Sequence, residues 1–163
     1  VLLFAKTAEA LQNLAAQFHA RTTEKTYLTL LNGHLEAEQI VDAPIQRKGS
    51  NDKNRMVASH DKSQGREAYS VFTPLKYNAT NNVTLVAVQI KTGRTHQIRV
   101  HAKFIGHPVI GDSLYTNKPA REISEKLGVE HQLLHAWKLS FNHPISGERL
   151  QFECTPSSTL LQP

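Results

Sequence analysis

Between Lys91 and Tyr115 the sequence reads KTGRTHQIRVHAKFIGHPVIGDSLY. Its first half carries Lys91, Arg94, Arg99 and Lys103 and no acid, with Ile98, Val100, Ala102 and Ile105 threaded among the charges. Two chemistries suit such a pattern. A row of cations meets the phosphates of a nucleic acid. Alternatively, one cation held at the edge of an apolar core neutralises and aims an acidic group inside a pocket. The first describes a binder and the second an enzyme.

The elements that must position these residues follow from spacing. Thr95 is a plausible N-cap, Ile105 lies near the last turn, and Gly106 suits the position just past the helix with Pro108 beyond it. On that helix Ile98, Ala102 and Ile105 share one side and His96, Arg99 and Lys103 another. Arg99 is therefore expected at the edge of the core. Gly93 and Arg94 stand at the positive end of the helix dipole, where backbone N–H groups meet a phosphate. A nucleic-acid contact and a structural amphipathic helix both remain open on this evidence.

The charge distribution favours a polyanion. Net charge is +5, and Ala68 to Gly111 contains five Lys or Arg and not one Asp or Glu. Gln46 to Arg66 adds Arg47, Lys48, Lys53, Arg55, Lys62 and Arg66 against Asp52 and Asp61. One-sided basicity of this kind is an electrostatic footprint for a polyanion. A DNA-recognition helix is disfavoured, because Val83 to Ile90 reads as a strand where helix-turn-helix geometry needs a preceding helix. No run approaches the length of a membrane span, and the opening VLLFAKTAEA lacks the basic leader of a signal peptide. A lone cysteine, Cys154, excludes an internal disulfide and suits a reducing, cytoplasmic setting; nothing near it would activate it.

The rest of the chain reads as one α+β domain over 1–163, a mixed, mostly antiparallel sheet with flanking helices. Val1 to Ala5 reads as a buried strand. Thr7 caps a helix whose Leu11, Leu14, Ala15 and Phe18 recur at helical spacing. Lys25 to Gly33 is a strand ending at Asn-Gly, and Ile40 to Ile45 an edge segment broken by Pro44. Gln46 to Met56 is a polar, basic loop of the kind that touches ligands. Arg66 to Leu75 and Val83 to Ile90 are strands separated by Asn78 to Asn82. A short helix around Ala120 to Leu127 precedes a hairpin of Leu133–Phe141 and Glu148–Glu153.

The long basic stretch, TGRTHQIRVHAKFIGHPVIGDSLY, resembles the signature of RluA/RluC-type ribosomal large-subunit pseudouridine synthases. EKTYLTLLNG resembles that family's Lys-x-Tyr strand, and LLHAWKLSFNHPISGERLQFECTP its closing hairpin. QGREAYSVF is similar to a segment that usually reads Gly-Lys-x-Ala-x-Thr, with Arg66 and Ser70 as departures. The resemblance implies the pseudouridine synthase catalytic fold, with its N-terminal part missing. It also implies an isomerase that flips a uridine of large-subunit ribosomal RNA out of its stack, breaks the N-glycosidic bond, and rejoins the turned base through carbon. No metal or cofactor is implied, and neither a membrane nor DNA is an expected partner.

Residue by residue, the resemblance gives Arg99 as the arginine that pairs with a catalytic aspartate and Tyr27 as the tyrosine stacked on the flipped base. From the residues alone Tyr27 would be a half-buried strand aromatic. Ile98 or Val100 supplies an apolar wall near the base. Arg94, Thr95, His96, Lys103, Arg47, Lys48 and Arg55 are candidate RNA contacts. The family's nucleophile lies in an Arg-Leu-Asp segment running directly into a strand like VLLFAKT, and none of Asp42, Asp52, Asp61 or Asp112 has that context. The nucleophile is therefore expected ahead of Val1, the fragment alone is expected to be inactive, and Arg99 is expected to lack a carboxylate partner within this chain. Asp112 is expected to serve the turn after Ile110. A catalytically inactive RNA-binding module derived from the same fold is the competing reading.

Overall fold

The computed structural model describes residues 1–49, 55–156 and 158–161. Its first helix, α1 (Ala8–Ala20), is capped as expected, with the Thr7 hydroxyl accepting from the Ala10 N–H at 3.2 Å. Strands β1 (Glu24–Asn32) and β2 (Gln39–Asp42) follow, then the short pair β3 (Ile45–Arg47) and β4 (Met56–Ala58). The hairpin β5 (Tyr69–Asn78) and β6 (Val83–Ile90) leads into α2 (Gln97–Phe104) and α3 (Lys118–Lys126). The hairpin β7 (Leu134–Asn142) and β8 (Arg149–Glu153) and a short α4 (Ser158–Leu161) complete the order.

Six strands form one sheet in the order β2-β5-β6-β1-β7-β8, while β3 and β4 pair separately, and every pairing is antiparallel. The central strand β1 alternates between two apolar faces, so its residues are buried on both sides. On one face Leu31, Val86, Val88 and Ile90 pack with Ile98 and Ala102 of α2. On the other, Leu28, Leu30, Val83 and Leu85 pack with Ile110, Ala120 of α3 and Leu160 of α4. The first face also carries α1, whose Leu14 meets Leu139 and Phe141 of β7. Two helices thus share that face, and the gap between them opens over β1.

Two sequence expectations fail here. Residues 1–5 form no strand: Val1, Leu3 and Ala5 pack inward on the Leu14 cluster, whereas Leu2 and Phe4 are each 77% exposed. β7 is paired by β1 on one side and β8 on the other, and among the described residues its hydrogen bonding to this segment is a single bond, from the Val1 nitrogen to the Ala136 carbonyl beside a bulge at 2.6 Å. Along α1 only Leu14 is buried, and Leu11 and Phe18 are largely exposed. Helical periodicity marks an apolar stripe, but the covered width depends on what lies beneath, here Leu139 and Phe141.

Candidate functional site

The β1–β7 pairing shifts register between Thr26 and Tyr27: Thr26 faces Lys138 while Tyr27 faces Ala136, leaving Trp137 as the extra residue. A bulge re-aims the side chains beside it. Tyr27 and Lys25, two residues apart, point to the face shared by α1 and α2. Both line a cleft of about 600 Å³ bounded by Phe18, His19 and Arg21 at the end of α1 and by Lys91 to Arg94 ahead of α2. Arg21, Lys25, Arg66, Lys91 and Arg94 contribute five cations to its lining, and no carboxylate does. Burial raises the Tyr27 phenol above its ordinary pKa, so the hydroxyl stays protonated near neutral pH. Burial, and then the neighbouring Arg21, lower the Lys25 ammonium.

The rim is organised by few contacts. Arg21 grips Glu67 bidentately at 2.9 and 2.6 Å, and Arg94 Nε donates to the Glu67 carbonyl at 2.8 Å. Lys91 stands over the Tyr69 ring at 4.5 Å. The approach to α2 is held by the buried Gln97. Its Oε1 accepts from the Arg94 N–H at 2.9 Å and the Thr92 hydroxyl at 2.8 Å, and its Nε2 donates to the Tyr69 carbonyl at 3.0 Å and Ser70 Oγ at 3.1 Å. Thr95 is therefore not the N-cap. His96 takes that position in the left-handed region (φ 56°) without a side-chain cap bond, because Gln97 already reaches back to the preceding turn. The Arg94 N–H, expected to meet a phosphate, is likewise committed to Gln97. The far end behaves as read: Gly106 follows the helix with φ +85°.

Arg99 departs most from expectation. Its Nε donates to Asp112 Oδ2 at 2.6 Å and its Nη2 to Oδ1 at 2.8 Å, with the Asp112 side chain fully buried. The carboxylate partner thus comes from within the chain. Asp112 does serve its turn as well, Oδ1 accepting from the Leu114 and Tyr115 N–H groups at 2.8 Å each. Burial alone would raise the Asp112 carboxyl, but the bonds from Arg99, Tyr115 and Leu114 outweigh it and hold the carboxyl below its ordinary range. The same pairing raises the Arg99 guanidinium.

The turn that delivers Asp112 depends on Gly111. It sits at φ +79°, and a Cβ there would lie 2.1 Å from the His131 carbonyl oxygen. Tyr115 extends the cluster: Arg99 lies over its ring at 5.0 Å, the Met56 N–H donates to its hydroxyl at 2.9 Å, and that hydroxyl shares a hydrogen bond with His96 Nδ1 at 2.9 Å. Desolvation, then the nearby Arg99, push His96 below its ordinary pKa. His101 is a core contact, fully buried between Ser70 Oγ and the Ala43 carbonyl at 2.9 Å each.

The remaining candidates fall on one surface. Arg47, Thr95 and His96 line a second cavity of about 630 Å³, which shares Arg66 with the Tyr27 cleft. Lys48, Arg55, Val100 and Lys103 line a third of about 280 Å³, which shares Met56 and Leu114 with the second. Nine of the eleven predicted positions, Tyr27 and Arg94 included, therefore line one series of adjoining cavities. Ile98 and Arg99 do not: the first lies in the α2–sheet core and the second in the Asp112 cluster. Lys53 of the basic loop lies outside the described residues.

Sequence reasoning missed Lys25, Arg21, Lys91 and Phe18 as cleft residues. Lys25 had a usable signal, since period-two alternation puts it on the face of Tyr27. Arg21 and Lys91 had none, because they meet only through the β1–β6 pairing, where Lys25 faces Ile90.

Residues 1–104 match the family model described as RNA pseudouridylate synthase. The chain is 40% identical over 155 residues to the ribosomal large subunit pseudouridine synthase D of Nitrosomonas europaea, covering 94% of this chain and 43% of that one. It is 37% identical over 158 residues to the synthase D of Zymomonas mobilis (94% and 48% covered), and 36% identical over 163 to the synthase C of Vibrio cholerae (99% and 50% covered). The chain spans about half the length of the curated relatives it matches. Among solved structures, human RNA Pseudouridylate Synthase Domain Containing 1 superposes with a TM-score of 0.77 at 28% identity, covering 94% of this chain and 62% of that one. Human RNA Pseudouridylate Synthase Domain Containing 4, at 0.72 and 21%, shares the fold, with 95% and 66% covered.

Proposed function

The chain belongs to the RNA pseudouridylate synthase family, and on that premise we propose that it forms the C-terminal part of a catalytic domain converting uridine to pseudouridine in large-subunit ribosomal RNA. The observation that carries this reading is the half-buried Tyr27 in a cleft lined by five cations and no carboxylate. The cations take the backbone phosphates, and the flipped uracil lies against the phenol ring. The C1′–N1 bond breaks, the base turns, and a C1′–C5 bond forms; C5 loses a proton and N1 gains one, so the atoms balance. Tyr27, protonated through burial, handles a proton next to the base. Arg94, Thr95, His96, Arg47, Lys48, Arg55 and Lys103 hold the flanking RNA, and Val100 borders that track.

In this reading the nucleophilic aspartate comes from polypeptide outside the 163 residues. Among the described residues Asp112 is committed to Arg99 and two N–H groups, Asp42 pairs with Lys62, and Asp61 bonds its own loop through Ser63 and Gln64; Asp52 lies outside them. Arg99, held bidentately by Asp112 and outside the lining of the Tyr27 cleft, acts only as a positioning residue, through the turn that Asp112 closes. Among the described residues no helix is long and apolar enough to cross a membrane, and the reading places the enzyme in the cytoplasm with its ribosomal RNA.

The test is nucleoside mass spectrometry of ribosomal RNA transcripts incubated with the full-length polypeptide. Pseudouridine is expected, and Tyr27→Phe is expected to lower turnover by about 10²–10⁴-fold. The 163 residues alone are expected to give none, as loss of a nucleophile costs about a millionfold in other enzymes. RNA binding without pseudouridine in the full-length protein would overturn catalysis in favour of an inactive RNA-binding module. Activity from the 163 residues alone would overturn the external nucleophile.

A further inference from the structure

Lys25 is only 9% exposed, at the wall of the cleft, and the described residues around it give its ammonium no ion-pair partner. Across the sheet it faces Ile90 on β6 and Leu139 on β7, both apolar and both buried. Among the described residues its favourable contact is the Phe18 ring, whose centroid lies 5.3 Å from Nζ. The neighbouring Glu24 points to the opposite face and pairs with Arg149. Among the described residues no carboxylate stands within ion-pair distance of Lys25, and the charge that acts on it is Arg21, of its own sign. Burying an ammonium without a counter-ion is costly. A methionine or leucine would fit between Ile90 and Leu139 without that cost.

The position of Lys25 supplies a reason for the charge. It lines the same cleft as Tyr27, and Arg66, Lys91 and Arg94 close the other sides. Arg21 is held by Glu67, and the cations that remain around the cleft suit a polyanion with successive phosphates. We propose that Lys25 binds a backbone phosphate oxygen of the RNA nucleotide seated on Tyr27, so that the bound substrate supplies a counter-ion that none of the described residues provides. This rests on the reading given under Proposed function and names the group that anchors the flipped nucleotide.

The experiment compares Lys25→Met and Lys25→Arg with the wild-type full-length protein, measuring thermal midpoint, turnover, and RNA affinity across salt concentrations. Lys126→Ala, on α3 and against the other face, controls for loss of one charge. For Lys25→Met the midpoint is expected to stay level or rise, since the change removes an uncompensated charge and keeps the stem packing. The slope of log affinity against log salt is expected to shrink by about one, so that a fourfold change in salt costs the variant about fourfold less affinity than it costs wild type. Lys25→Arg is expected to keep the slope, and so is Lys126→Ala. A lowered midpoint with an unchanged slope would mean a structural lysine. An unchanged slope with lost turnover would mean that the counter-ion is a protein carboxylate. Either result overturns the proposal while leaving the proposed function standing. Failure of the full-length protein to bind RNA would remove that reading and this inference together.

Discussion

Arg99 and Lys25 are equally hidden from water, each 9% exposed, yet the molecule treats them in opposite ways. Arg99 on α2 is fully engaged: a bidentate carboxylate in front, the Tyr115 ring beside it, and an Asp112 that also ties down two backbone N–H groups. Lys25 on β1 has the face of an aromatic ring and a like charge. The difference teaches that burial of a charge is not by itself a sign of function. A compensated cation locks a turn; an uncompensated one leaves binding energy for something that arrives. Perturbed groups cluster at sites for this second reason.

The largest effect that tests this contrast is at Asp112. Asp112→Ala leaves Arg99 buried without its carboxylate, which is expected to cost about 3–5 kcal/mol in urea or guanidinium unfolding. Adding Arg99→Met is expected to recover part of that loss, although the Leu114 and Tyr115 N–H groups stay unpaired. A cost below about 1 kcal/mol for the single change would put Arg99 in the same class as Lys25 and erase the contrast.

His101 sharpens it by a third solution, burial in the neutral form. Desolvation lowers its pKa, and Nε2–H donation to the Ala43 carbonyl with acceptance from the Ser70 hydroxyl suits a neutral ring. Because the folded pKa lies below the unfolded value of about 6.5, the unfolded chain binds more protons between the two. The stabilisation is therefore complete above about pH 6.5 and declines as pH falls toward the folded pKa. Its slope is at most about 1.4 kcal/mol per pH unit. Unfolding curves at pH 7 and 5 are expected to show this loss, and His101→Gln to flatten it. Asp112, also depressed in the folded state, contributes above its unfolded pKa of about 3.9, and that part is lost only in stronger acid.

A smaller effect is expected at Thr7→Ala, about 1 kcal/mol, because the cap of α1 loses its oxygen. Since α1 carries Phe18 over Lys25, hydrogen exchange along α1 should rise in that variant while β5 and β6 keep their protection. The smallest change is expected at Glu67→Gln: both partners of the Arg21 pair are exposed, so the thermal midpoint should not move measurably. A clear shift there would mean that the cleft rim contributes to the fold as the Arg99 cluster does.

Much of the architecture was legible in advance for local reasons. Asn-Gly at 32–33 ends β1, Asn78 to Asn82 turns β5 into β6, and Gly106 ends α2 at a positive φ. The cleft was partly legible. Tyr27 was identified from a resemblance in a short motif, and the basic residues on both sides of β4 from their charge. Lys25 was passed over although it belongs to the same Lys-x-Tyr motif, because sequence showed a charged residue on a strand and not the apolar pair across from it. Arg99 was identified as a buried cation but given the wrong partner. The link to Asp112 spans the end of α2 and a glycine-dependent turn, and no periodicity reports such a closure.

By itself the sequence determined which residues alternate, which cap, which turn, and where positive charge accumulates, since these depend on neighbours a few positions away. Tertiary structure alone decided who shares a space with whom. It left residues 1–5 without a ladder, uncovered Leu11 and Phe18, bound Arg99 to Asp112, and gathered Arg21, Lys25, Lys91 and Arg94 around Tyr27. The physical reason is that desolvation and pairing depend on distance in space, and only the packed sheet and its two helices set those distances.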